Sequence, residues 1–166
     1  QNNTWSDSRV ILFTEYRPTQ SWLHQIFVSH GIEADRIAIL NGDTPFEERE
    51  KIKAAFQAKP SDSPLRILLA TDAASEGIDL QNHCNFLIHI EIPWNPNVME
   101  QRNGRIDRHG QKKTPYIWHP VGSKSAESNE ELLSDDEFLM KAVMKVNAIR
   151  EDLGSVGPVI AHQIEQ

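Results

Sequence analysis

The sequence predicts an α/β fold built on a mainly parallel, buried sheet. Short apolar runs recur at 9–14, 36–40, 66–70, 86–90 and 116–121. They are continuous in apolar character rather than alternating, as strands covered on both faces are. Segments with helical spacing lie between several of them, and such alternation builds βαβ units.

Taken in order, Arg9–Thr14 (RVILFT) is a β-branched run and reads as the first buried strand. Residues 19–29 carry Trp22, Leu23, Ile26 and Phe27 at helical spacing, and Gly31 stops that helix. Arg36–Leu40 reads as a second strand. Thr44 is a candidate N-cap with Pro45 at the first helical position, and Ile52, Ala55 and Phe56 face inward from that helix. A turn-rich loop, 60–64, leads to the third strand at Arg66–Ala70. Phe86–Ile90 is a fourth strand, Pro93–Pro96 a turn, Asn97–Arg108 a short helix and Tyr116–Val121 a fifth strand.

Residues 122–136 (GSKSAESNEELLSDD) are polar and acidic, a flexible excursion. Glu137–Asp152 reads as an amphipathic helix with Phe138, Leu139, Ala142, Val143, Val146 and Ile149 inward, ended by Gly154. The expected division is a lobe over 1–122 and an acidic linker with a helical extension over 123–166. There is no internal repeat.

The 166 residues suffice for one domain with a real core. The net charge of −7 is unevenly spread. Residues 123–166 hold four Lys/Arg against nine Asp/Glu, which leaves the rest of the chain nearly balanced. Between Arg102 and Lys113 there are five Lys/Arg and one Asp, a local basic patch that keeps a polyanionic ligand open. Cys84 is the only cysteine, which excludes an internal disulfide and a Cys-based zinc cluster. It has no basic neighbour and reads as a buried, inert thiol. His83, His89, His109 and His119 do not form a metal-ligand spacing. No apolar run approaches the roughly 18 residues of a membrane helix, and no basic-then-apolar leader opens the chain. The expectation is a soluble, cytoplasmic protein. A start at Gln1 rather than Met is what a fragment or a processed form would show.

Two segments carry the chemistry. Residues 101–111 read QRNGRIDRHGQ, which sets Gln101, Gly104, Arg105 and Arg108 at spacing Q-x-x-G-R-x-x-R. On a helix, Gln101, Arg105 and Arg108 fall at i, i+4 and i+7, one face bearing an amide and two permanent cations. Two fixed guanidinium forks suit a transferring phosphoryl group. The second segment, residues 70–80 (ATDAASEGIDL), follows the third strand. Small residues there let a backbone approach a ligand at the carboxyl end of a strand, where open α/β sheets bind ligands. Thr71 and Ser75 offer hydroxyls, Gly77 an unobstructed N–H, and Asp79 an acceptor for an arginine or a ribose.

Together with the strand ending Phe13-Thr14-Glu15-Tyr16, the turn Asn41-Gly42-Asp43-Thr44 and the segment Ile92-Pro93-Trp94-Asn95-Pro96, these motifs resemble the second RecA-like lobe of superfamily two helicases and translocases. Trp94 in its Pro-flanked turn, and the trailing His109-Gly110-Gln111, are similar to the Swi/Snf-type ATPases and to their bacterial RapA-like branch. The resemblance spans roughly residues 8–122. It implies a RecA-like three-layer sandwich with helices on both faces of the sheet. It implies that Gln101, Arg105 and Arg108 belong to the last helicase motif, with Arg105 and Arg108 as catalytic arginine fingers toward ATP. Gly77 and Asp79 then belong to the preceding motif at the nucleotide cleft. Thr71 and Ser75, with Thr14, Gly42 and Thr44, fall where such lobes contact a nucleic-acid backbone. Asp107, between the two arginines, departs from the pattern of many Swi/Snf-type members.

No G-x-x-x-x-G-K-[ST] phosphate loop occurs, and no Asp-Glu pair follows an apolar strand to hold Mg²⁺. The resemblance places both on an N-terminal lobe of the same protein. The implied function is therefore the C-terminal motor lobe of an ATP-dependent DNA translocase, using ATP with Mg²⁺ and duplex DNA without sequence preference, and inactive alone. The alternatives are a non-catalytic nucleic-acid or protein-docking module, and the lobe of an RNA helicase.

Overall fold

The computed structural model describes residues 7–72, 80–93 and 95–120. Five strands form one parallel sheet: β1 (Arg9–Phe13), β2 (Ile37–Leu40), β3 (Ile67–Ala70), β4 (Cys84–His89) and β5 (Tyr116–Trp118), in the spatial order β2-β3-β1-β4-β5. The described α-helices are α1 (Arg17–Ser29), α2 (Phe46–Gln57) and α3 (Pro96–Asn103), and a 3-10 turn covers Ala34–Arg36. The predicted α/β architecture is observed. The acidic stretch 122–136, the helix expected at 137–152 and Trp94 lie outside the described residues.

Alternation along each strand divides the core in two. Ile11, Phe13, Leu68, Ala70, Leu40 and Leu87 face Phe56, Ile52 and Ala55 of α2. Leu12, Leu69, Ile67 and Ile37 face Leu23 and Phe27 of α1. Helices thus cover both faces, which is why the strands are apolar throughout rather than at every second residue.

Helix α1 ends as its sequence demands. Gly31 has a φ of 88°, the Gly31 N–H bonds the Val28 carbonyl at 3.0 Å, and the Ile32 N–H bonds the Phe27 carbonyl at 3.0 Å. This is the paired closure that a left-handed glycine permits, and Ile32 packs into the same cluster as Phe27. Helix α2 begins one residue later than predicted. Thr44 does not cap it. The Thr44 hydroxyl instead accepts the Asn41 N–H at 3.0 Å and closes the turn after β2. Glu47 and Glu48 occupy the first turn of α2, where the helix dipole favours negative charge.

Strand β4 starts two residues before the predicted position because of a register shift. Arg9 pairs with Cys84, yet Val10 pairs with Phe86, leaving Asn85 as the extra residue. The bulge returns Cys84 to the same face as Leu87, three residues on. The Asn85 side chain donates to the Thr114 carbonyl at 3.0 Å. Strand β5 is shorter than predicted, ending at Trp118.

The chain forms two compact units, Gln1–Glu91 with Glu100–Pro120, and Ile92–Met99 with Val121–Gln166. The sheet belongs to the first. In the second, Asn95 starts α3. Its side-chain oxygen accepts the Asn97 N–H at 2.9 Å and its carbonyl accepts the Val98 N–H at 3.0 Å, with Pro96 at the first helical position. No helix among the described residues is long and apolar enough to cross a membrane.

Candidate functional site

The parallel strands end on one edge of the sheet, and the ladder continues into the loops there. The Thr71 N–H bonds the Leu40 carbonyl at 3.0 Å, the Thr14 N–H the Ala70 carbonyl at 3.1 Å, and the Ile90 N–H the Phe13 carbonyl at 2.8 Å. Strand order therefore sets the turn 41–44, then Thr71 and Asp72, then Thr14 and Glu15, then Glu91, side by side along this rim. Gln20 of α1 fastens two of these ends. Its buried amide donates to the Leu40 carbonyl at 3.2 Å and the Leu69 carbonyl at 3.1 Å.

Arg102, near the end of α3, is the centre of the rim. It is 1% exposed. Its Nε and one terminal nitrogen each donate to the Asp72 carboxylate at 2.6 Å, a fork-on-fork geometry. The other terminal nitrogen reaches the Glu91 carbonyl at 3.3 Å, and Glu15 lies 3.8 Å away. The guanidinium lies over the Phe13 ring at 5.4 Å. One side chain therefore touches the loops after β1, β3 and β4.

His89 completes this network. It is fully buried, and its Nε2 stands 2.8 Å from the Asn103 side-chain oxygen. Its Nδ1 faces an Arg102 nitrogen at 3.5 Å. An arginine only donates, so the partners assign the proton to Nε2. Burial pulls the imidazole down to about 4, against the Asn103 hydrogen bond, and the neighbouring His119 and Arg102 charges pull the same way. His89 is neutral at physiological pH.

The predicted helix over Asn97–Arg108 ends at Asn103. The chain then continues in tight turns. The Arg105 N–H bonds the Arg102 carbonyl at 3.1 Å and the Ile106 N–H bonds the Asn103 carbonyl at 3.1 Å, three-residue closures rather than helical ones. Gly104, a poor helix residue, sits at the switch, and a Cβ there would stand 3.3 Å from the Glu100 carbonyl. Arg105 and Arg108 therefore lie beyond the helix that carries Gln101, although the Asp107 N–H still makes a four-residue closure on the Asn103 carbonyl at 2.9 Å. Gln101 and Arg108 are exposed. Arg105 is half-buried, its Nε is buried without a hydrogen-bond partner among the described residues, and its carbonyl accepts the Leu80 N–H at 3.2 Å. Among the described residues no carboxylate forms an ion pair with Arg105. The following turn closes through the Gln111 N–H on the Arg108 carbonyl at 3.0 Å, with Gly110 at a φ of 96°. The Gln111 side chain then ties this loop to β4 through the Cys84 carbonyl at 2.9 Å.

The remaining candidates divide by placement. Thr14 is fully buried and its hydroxyl donates to Glu91 at 2.6 Å. Thr71 is buried at the end of β3. Gly42 is exposed, beside an Arg17–Asp43 ion pair, and Thr44 is half-buried. Ser75, Gly77 and Asp79 lie outside the described residues. Among the described residues no group of three or more His, Cys, Asp or Glu side chains stands where it could hold a metal ion.

Sequence reasoning missed Arg102, Asp72, His89 and Asn103 as a unit. Arg102 reads in sequence as one more cation beside Arg105 and Arg108. One signal was available: Asp72 lies two residues past the end of β3, on the rim where open α/β sheets bind ligands. The partner lies 30 residues away, and only the fold brings the two together.

Residues 3–110 match the family described as "Helicase conserved C-terminal domain", and the chain belongs to it. It is the C-terminal RecA-like lobe of a superfamily two, Swi/Snf-type helicase or translocase. Among curated proteins it is 36% identical over 123 residues to the "Uncharacterized ATP-dependent helicase YqhH" of Bacillus subtilis (strain 168), covering 74% of this chain and 20% of that protein. It is 29% identical over 122 residues to the "RNA polymerase-associated protein RapA" of Pectobacterium carotovorum subsp. carotovorum (strain PC1), covering 74% of this chain and 12% of RapA. It is 33% identical over 120 residues to the "SWI/SNF-related matrix-associated actin-dependent regulator of chromatin subfamily A member 1" of Mus musculus, covering 72% and 11%. The chain thus spans a fifth or less of the length of these relatives. Among solved structures, the C-terminal part of the Fun30 ATPase domain superposes with a TM-score of 0.64 at 19% identity, covering 81% of this chain and 38% of that one. Domain 2 of the Mss116p DEAD-box helicase, bound to an RNA duplex, gives 0.57 at 22% identity, covering 69% and 42%. At these identities the likeness shows the shared fold.

Proposed function

We propose that this chain is the C-terminal motor lobe of an ATP-dependent DNA translocase, working against an N-terminal RecA-like lobe of the same protein. The observation that carries this reading is the state of Arg105. Its neighbour in the motif, Arg102, is consumed by Asp72, while the Arg105 Nε is buried with no partner among the described residues. A cation held by its backbone on both sides, and paired with no carboxylate among the described residues, suits a ligand with phosphoryl charge.

In this reading Arg105 and Arg108 meet the ATP phosphates when the lobes close, with Gln101, Gly77 and Asp79 lining the nucleotide. ATP supplies the bond to be broken. The described residues provide no ligand set for Mg²⁺, so its ligands are assigned to the other lobe. Thr14, Gly42, Thr44, Thr71 and Ser75 are assigned to the nucleic-acid track. Hydroxyls and N–H groups on phosphates hold register without reading bases, so binding has no sequence preference. The lobe alone, lacking a phosphate loop, does not turn ATP over.

The test uses the protein in which this lobe is joined to its nucleotide-binding lobe. Arg105→Ala and Arg108→Ala should each lower DNA-stimulated ATP hydrolysis by about 10³-fold or more, in the range known for arginine fingers. Wild-type turnover in either variant ends its assignment. Stimulation by duplex DNA above single strands and RNA is expected, and stimulation by RNA alone would favour the RNA-helicase reading instead.

A further inference from the structure

We infer that Arg102 is a positioning residue for the arginine finger: its bolt to Asp72 sets where Arg105 stands. The inference rests on the reading of Arg105 as a finger. It is carried by the connection between the two arginines. The Arg102 side chain is fixed to the Asp72 carboxylate by two hydrogen bonds of 2.6 Å, and its carbonyl accepts the Arg105 N–H at 3.1 Å. The Arg105 carbonyl is held in turn by the Leu80 N–H. The finger thus hangs on a turn whose first residue is anchored to the end of β3 and whose own carbonyl is anchored to Leu80.

The chemistry of the anchor favours a geometric role. The buried Arg102 loses its water while Asp72 keeps 37% of its side chain exposed, so the pair contributes little stability compared with apolar packing of the same volume. What it supplies is direction. The planar fork on Asp72 fixes the guanidinium in plane as well as in distance, and a lysine cannot reproduce that. The surroundings reinforce it. Phe13 lies under the guanidinium, Glu15 and the Glu91 carbonyl flank it, and neutral His89, held by Asn103 one residue along α3, borders it. The finger's base is therefore braced against the loops after β1, β3 and β4 at once. A displacement of about 1 Å at a reacting group can cost on the order of 100-fold in rate, so a brace of this kind matters for turnover.

The experiment is a double-mutant cycle in the two-lobe protein, with Arg102→Lys, Arg105→Ala and the pair. Arg102→Lys should lower kcat for DNA-stimulated ATP hydrolysis about 10- to 100-fold, with KM for ATP and Kd for duplex DNA changed by less than about threefold. In the Arg105→Ala background the same change should cost less than about twofold, because the group it positions is gone. A purely structural role would cost the same factor in both backgrounds, and that result overturns the inference. So does a rise in KM with kcat unchanged. Wild-type turnover in Arg105→Ala would instead overturn the finger reading on which the inference rests. If Arg102→Lys melts early, Asp72→Asn breaks the same fork from the exposed side, and its cycle with Arg105→Ala is read by the same outcomes.

Discussion

His89 and His119 lie face to face, with ring centroids 4.7 Å apart and planes 7° from parallel. His89 is fully buried, and burial is the first cause that pulls it to about 4; burial also lowers His119. Neither ring has a carboxylate hydrogen-bonded to it among the described residues. The stack therefore excludes protons that the unfolded chain would take up.

The sign of the pH dependence follows. In the unfolded chain a histidine titrates near about 6.5, whereas His89 in the folded chain stays neutral down to about 4. Stability is complete above the unfolded value and falls as pH drops through that window, because the unfolded state binds the extra proton. The loss attributable to His89 approaches about 3 kcal/mol at the bottom of the window. Urea denaturation of the chain at pH 7.5, 6, 5 and 4.5 should show a falling midpoint. His89→Gln, which does not titrate, should flatten that fall. An equally steep decline in the variant would place the proton-sensitive group elsewhere.

Arg9 should be the costliest single charge to remove from the core. It is fully buried, and its guanidinium donates to the carbonyls of Phe56 and Ala58 at 2.6 Å, Ala55 at 3.3 Å and Leu65 at 3.0 Å. Three of those carbonyls belong to the last turn of α2 and its cap, which have no helical partner and carry the negative end of the dipole. Arg9→Met leaves them buried and unbonded. A loss of about 2–4 kcal/mol in denaturant stability is expected. Arg9→Lys should recover part of it, since an ammonium restores charge but not the fork. A loss below about 1 kcal/mol for Arg9→Met would show that water replaces these bonds.

Cys84 should be chemically silent in the folded chain. Burial raises its thiol to about 12, and the sulfur contacts the carbonyls of Arg9 and Phe86 at 3.2 and 3.4 Å. The thiolate is the reactive species. At pH 8 an alkylating reagent should label the native chain far more slowly than the same chain in concentrated urea. Equal labelling rates would mean that the start of β4 opens readily.

Much of the fold could be read from local pattern. The runs RVILF, IAIL and ILLA are short, apolar at successive positions and rich in Ile, Val and Leu, as a strand covered on both faces is. Gly31 announced the end of α1 because no other residue takes its φ of 88° without strain. The β4 boundary was not legible. A bulge at Asn85 breaks the alternation that would have marked Cys84 as part of the strand, and the bulge arises from pairing with Arg9, 75 residues away in sequence.

The candidate site divides along the same line. Residue type and spacing alone marked Gln101, Arg105 and Arg108, because permanent cations at a motif interval are a local property. Which cation is bound to a carboxylate is a property of space. Three arginines lie within seven residues, 102–108, and their sequence cannot rank them. The strand order β2-β3-β1-β4 brings Asp72 under Arg102, and that contact consumes one arginine, while Arg105 forms no ion pair among the described residues. Helix propensity likewise allowed a helix to Arg108, and Gly104 with the tightened turns ended it at Asn103. Local chemistry determined what this chain can offer a phosphate. Long-range pairing of strand ends decided that Arg102 is not the side chain to offer it, because a buried charge must be matched wherever the fold places its partner.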